Sequence, residues 1–196
     1  MTRDEFLAAL STTLRDLTTW LRADGIRHVI VGGVAQAIVG RPRITDVIDA
    51  VILAERRSPQ ELIDTARRFG FIPRLENAAE FAINNRILLL MHEGDGIPVD
   101  VALGILPFEE EMIERASRVS VQGAEIPIAT LEDLIVMKVL AFRGKDAVDI
   151  ESVLDANQKI DFARIRHWVA GFSEALEDPA IRERFEALLR NRSRNA

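Results

Sequence analysis

The chain has 196 residues, a net charge of −6, 48% hydrophobic residues and no cysteine. A domain of this length buries roughly 70% of its unfolded surface and needs no staple, and the lack of cysteine excludes disulfides, thiolate zinc sites and a cysteine nucleophile. No run approaches the roughly 18 apolar residues of a membrane span, the first ten residues lack a signal-peptide core, and the negative charge disfavours broad nucleic-acid binding, so a cytoplasmic protein without a membrane partner is expected.

In chain order, residues 2–23 read as an amphipathic helix, with Leu10, Leu14, Leu17 and Leu21 at three- and four-residue steps. Thr2 and Glu5 have capping-box spacing, and Asp24-Gly25 marks the end. Residues 27–31 form an apolar strand that breaks at Gly32-Gly33, and a short helix is expected over 34–39. Gly40-Arg41-Pro42-Arg43 reads as a loop, because proline removes a donor and restricts its predecessor. A second strand is expected over 45–53, then a helix from Ser58-Pro59 to Phe69 with a serine cap and proline at its first position.

Residues 71–72 suggest a short strand, 77–84 a short helix, and 86–91 with 97–103 a hairpin around the Gly94-Asp95-Gly96 turn. A helix over 107–116 starts with favourable negative charge, and a small hairpin surrounds Gln122-Gly123-Ala124. From Thr130 the pattern is helical throughout, over 130–142, 145–154, 161–172 and 179–189, with a basic tail that reads as a solvated terminus. The expected architecture is therefore a mixed α/β core over residues 1–129 and a C-terminal helical part over 130–196.

Two acids stand out because each lies alone in an apolar strand: Asp49 in Ile-Asp-Ala-Val-Ile-Leu and Asp100 in Pro-Val-Asp-Val-Ala-Leu. A carboxylate there is costly unless partnered, and a cation is the natural partner. A glycine pair after a strand lets backbone amides approach a phosphate, with a following helix adding its positive end. The three histidines have no ligand spacing, and neither a P-loop nor a nucleophile elbow is present.

In order and spacing these residues resemble the nucleotidyltransferase superfamily of DNA-polymerase-beta-like folds, and more narrowly the bacterial AbiEii-type toxins of toxin–antitoxin pairs. That pattern has a glycine pair or Gly-Ser, a short helix, Arg-x-Thr-x-Asp-hydrophobic-Asp, and a lone strand aspartate. Here it meets Gly32, Gly33, Arg43, Thr45, Asp49 and Asp100, with Lys138 and the Arg143-Gly144-Lys145-Asp146 and Asp149 run resembling its helical lysine and Arg-Asp motifs.

The resemblance implies an NTP held by Gly32, Gly33, Arg43 and Thr45, and two Mg²⁺ bridged by carboxylates including Asp49 and Asp100. It further implies Lys138 at the phosphates, and transfer of a nucleoside monophosphate to a hydroxyl of a tRNA or protein. A cognate antitoxin would be a partner, and antibiotic-modifying relatives leave a small hydroxylated acceptor open. Val47 departs from the pattern, standing where the first strand aspartate belongs. Side chains at 47 and 49 share a strand face while Asp46 points away, so one metal ligand is expected to be missing. The alternative reading is a catalytically impaired protein of the same fold that binds a nucleotide or a partner.

Overall fold

The computed structural model of the chain describes residues 3–39, 45–144, 146–156 and 159–195. It divides into two compact units: the described residues up to Ile38 and from Thr45 to Ala129 belong to the first, and Val39 with those from Thr130 onward to the second. Among the described residues no helix is long and apolar enough to cross a membrane.

The first unit runs α1 (Arg3–Ala23), β1 (Arg27–Val31), α2 (Gly32–Val39), β2 (Ile48–Leu53) and α3 (Pro59–Ala66) with a 3₁₀ turn over Arg67–Phe69. It continues with β3 (Phe71–Pro73), α4 (Ala78–Asn85), β4 (Ile87–His92), β5 (Pro98–Leu103), α5 (Pro107–Glu114), β6 (Ser117–Val121) and β7 (Ala124–Ile128). The strands form one mixed sheet in the order β3-β4-β5-β2-β1-β7-β6. The β2–β5 and β1–β7 pairs are parallel and the other four antiparallel. The mixed α/β sheet flanked by helices is the architecture that the strand and helix pattern predicts.

Strand alternation separates two faces. Ile48, Ala50 and Ile52 of β2, Val99 and Val101 of β5, and Leu88 and Leu90 of β4 are all buried. They share a face with Phe71, whose ring packs between Trp20 of α1 and His92. On this covered face His92 Nδ1 lies 2.6 Å from Asp95 and its Nε2 3.3 Å from Asp16, while the Thr13 hydroxyl donates to Asp95 at 2.7 Å. Burial pushes the Asp95 carboxyl up, but the Thr13 and His92 hydrogen bonds outweigh it and hold the group below its ordinary value.

Local chemistry explains most boundaries. Ser58 and Glu61 form the reciprocal cap of α3, with Pro59 at its first position. Two expectations are corrected. The chain enters α2 at Gly32 itself, without a separate turn, because Gly32 adopts φ +65, open to a residue lacking Cβ. The second strand starts at Ile48 rather than at Thr45: the Thr45 hydroxyl donates to the Val47 carbonyl at 3.2 Å, a local bond that competes with the ladder, and Asp46 sits exposed at a bend. The Thr2 cap and the Gly40–Arg43 loop lie outside the described residues.

The second unit comprises α6 (Leu131–Ala141), α7 (Asp146–Ala156), α8 (Phe162–Ala175) and α9 (Pro179–Asn195). Thr130 caps α6 through the Asp133 amide, and Asp161 caps α8 through the Arg164 amide. Ile135, Val139, Ile165, Val169, Ile181 and Phe185 are buried. So is Asp133, whose Oδ1 receives Arg164 at 2.8 and 2.9 Å and whose Oδ2 receives the Thr130 hydroxyl at 2.9 Å. Helix α9 passes beyond residue 189 because no glycine or proline interrupts the basic tail.

Candidate active site

The less covered face of the sheet carries one row of residues across four strands and the residue that follows a fifth. Val31 pairs with Asp49, Asp49 with Asp100, and Asp100 with Leu89. The row is completed by Arg74, directly after β3, whose amide donates to the Leu89 carbonyl at 3.0 Å. Residues opposite one another in register point to the same side, and neighbouring strands lie roughly 4.8 Å apart. Asp49 and Asp100 are therefore side-by-side carboxylates, both half-buried.

Each end of the row has a distinct job. At one end, Gly32 makes room: a Cβ there would fall 2.7 Å from Asp49 Cγ and overlap its carboxylate. Gly33 makes room for Thr45, whose Cβ would lie 2.8 Å from a Gly33 Cβ. The two glycines thus admit the Asp49 and Thr45 side chains against the start of α2. At the other end, the Arg74 guanidinium reaches over Leu89 and ion-pairs with Asp100 Oδ1.

Of the expected site residues, Asp49, Asp100, Gly32, Gly33 and Thr45 come together in the first unit. Val47 is half-buried and precedes β2. The β2 register places Asp49, not Asp46, beside Asp100, so no one-residue slip brings Asp46 into the row. Arg43 and Lys145 lie outside the described residues. Lys138 belongs to the second unit, where its Nζ lies 2.6 Å from Asp149 and 3.4 Å from Asp146. The Asp146 carboxylate also accepts the Arg143 amide at 2.7 Å, starting α7.

Arg74 is the residue that sequence patterns miss. Its partner is 26 positions away, and only the strand order β3-β4-β5 brings the two together. A cavity of about 700 Å³ also occurs along α8 and α9, lined by Glu174, Arg182, Glu183 and Glu186 among others, but none of the expected site residues among the described ones lines it.

The donor set can be tested against a divalent cation. Two hard carboxylates side by side suit one Mg²⁺, which binds through one or two carboxylates and completes its shell with water and substrate phosphates. A two-cation site needs a further acidic ligand, and no group of three or more candidate ligands occurs among the described residues. Among the described residues the donors fit one cation and not two.

The family described as nucleotidyl transferase of unknown function, DUF2204, matches residues 10–187. The chain belongs to that family. No curated protein matches the DUF2204 chain in sequence. Among solved structures, it is similar to an antigenic nucleotidyltransferase-like protein from Paracoccidioides brasiliensis, with a TM-score of 0.54 and 16% identity over 92% of this chain and 93% of the other. It is also similar to the antibiotic-resistance factor ANT(2'')-Ia, with a TM-score of 0.53 and 19% identity over 94% and 97%. These likenesses establish the nucleotidyltransferase fold for the DUF2204 chain.

Proposed function

We propose that this chain transfers a nucleoside monophosphate from an NTP to an acceptor hydroxyl, using Asp49 and Asp100 as ligands of a single Mg²⁺. The observation that carries the reading is the register: two lone strand acids lie opposite each other, beside a glycine whose missing Cβ makes room for one of them. When bound, the cation supplies positive charge to the triphosphate and to the charge that develops on the leaving group.

The chain's own groups do the rest. In this reading the amides at Gly32 and Gly33, at the start of α2, meet phosphate oxygens, and Thr45 packs on Gly33. In the transfer the acceptor oxygen bonds to the α-phosphorus, the bond to the β-phosphate bridge breaks, and pyrophosphate leaves. The acceptor proton passes to a carboxylate of the pair, with Asp100 in that role. Arg43 and Lys138 are further candidates for phosphate contacts.

For the acceptor, the net charge of −6 favours a small hydroxylated molecule over a tRNA, since phosphate backbones are bound by basic surfaces. The toxin role, with a tRNA or protein acceptor and a cognate antitoxin, rests on the AbiEii resemblance alone. Location in the cytoplasm is expected for either acceptor.

A second reading has its own observation. Val47 occupies the position of the first strand acid and contributes no ligand, so a nucleotide-binding protein with impaired transfer fits the same site. Transfer of label from α-labelled NTPs with Mg²⁺, offered to small-molecule, tRNA and protein acceptors, separates the readings. Transfer by the native chain that is abolished in Asp49→Asn supports the enzyme. Nucleotide binding without transfer, with transfer appearing only in Val47→Asp, supports the impaired protein.

A further inference from the structure

Asp100 already has a cation. The Arg74 side chain holds its Oδ1, and the two side chains are 26% and 27% exposed, so the pair sits at the edge of the open face rather than in the core. The guanidinium is only partly used, since Arg74 Nε is buried and has no hydrogen-bond partner among the described residues. A divalent ion approaching Asp49 and Asp100 would therefore meet a carboxylate already neutralised by a neighbour.

We propose that Arg74 is a positioning residue that competes with the divalent cation for Asp100 and yields the carboxylate when an NTP offers phosphate oxygens to the guanidinium. The inference rests on the nucleotidyl-transfer reading of this row. A positive charge beside a carboxylate lowers its attraction for a second cation. A planar guanidinium fork matches phosphate as well as carboxylate, so a triphosphate can take Arg74 over without leaving it unpaired. Cation and nucleotide then bind cooperatively, and linkage makes the effect equal in both directions. A guanidinium that merely ties Asp100 to the end of the edge strand would give stability without that coupling.

Mn²⁺ binding, followed by the electron-spin-resonance signal of the free ion, tests the proposal on the full chain with and without a non-hydrolysable NTP. The native chain is expected to bind Mn²⁺ weakly alone and at least about tenfold more tightly with the nucleotide, within the usual range of coupling. Arg74→Gln should bind Mn²⁺ alone about tenfold more tightly than the native chain, and nucleotide should then add little.

Arg74→Lys keeps the charge and loses the fork, so its coupling should fall by about threefold; it decides the matter where Arg74→Gln does not fold. Native Mn²⁺ affinity and native coupling in the Arg74 variants, with Asp100→Asn weakening the ion, would overturn the role of Arg74 and leave the site standing. Mn²⁺ and nucleotide binding indifferent to both Asp49→Asn and Asp100→Asn would overturn the site and this inference together.

Discussion

Two arginine–aspartate pairs of the same chemistry stand in the two units, and their surroundings assign them opposite uses. Asp133 is fully buried, and its two oxygens receive Arg164 and the Thr130 hydroxyl. Asp100 is about a quarter exposed and stands beside a second carboxylate. The first pair is closed: a cation or ligand could enter only by breaking it. The second is open to exchange at the edge of the sheet face. A buried ion pair by itself says little about function; its exposure and the charges beside it say more.

Breaking the closed pair should have the largest effect on stability. Asp133→Ala strands the Arg164 guanidinium and should cost about 3–5 kcal/mol, read as a lowered denaturant midpoint. A shift below about 1 kcal/mol would remove the distinction. Asp49→Asn should do the reverse, lowering nucleotide transfer by about 10²–10³-fold, as loss of one electrostatic stabiliser does, while the unfolding midpoint stays within the spread of surface substitutions. A stability loss as large as that of Asp133→Ala would make Asp49 a structural residue.

Gly32→Ala tests the end of the row with both readouts at once. Its φ of +65 costs an L-residue about 1–2 kcal/mol, and the new methyl overlaps the Asp49 carboxylate. Stability and Mn²⁺ binding should therefore fall together; Mn²⁺ affinity unchanged in the folded variant would separate Asp49 from the cation.

The smallest effect concerns pH. Burial lowers the pKa of His28, whose Nδ1–H donates to the Ile26 carbonyl at 3.0 Å while Nε2 is buried without a hydrogen-bond partner among the described residues. A base depressed in the folded state binds its proton more readily when unfolded. Its stability is thus fully present above about pH 6.5 and declines as pH falls toward the folded value. Asp95, also depressed, loses its contribution in the same direction but at lower pH. His28→Leu should flatten the urea midpoint between about pH 7 and 5; an unchanged slope would assign the acid loss elsewhere.

Much of this contrast is legible in the sequence, and the rest fails for definite reasons. Asp49 and Asp100 announce themselves because a lone acid in an apolar strand needs a partner, and Gly32-Gly33 because a strand leads directly into them. The start of β2 is misread because Thr45 looks like a strand residue, while its hydroxyl bonds locally and delays the ladder to Ile48. Arg74 carries no local signal, since its meaning depends on a short edge strand two places from Asp100 in the sheet. Lys138 is legible as a motif residue, but its engagement with Asp146 and Asp149 depends on how α7 lies against α6.

A crystal grown with Mn²⁺ and a non-hydrolysable NTP decides whether the row from Gly32 to Arg74 is a nucleotide site with one cation. A single anomalous peak is expected between Asp49 and Asp100, with the triphosphate against Gly32 and Gly33 and in reach of Arg74. Nucleotide bound elsewhere, or no metal at the carboxylate pair, would rule that site out.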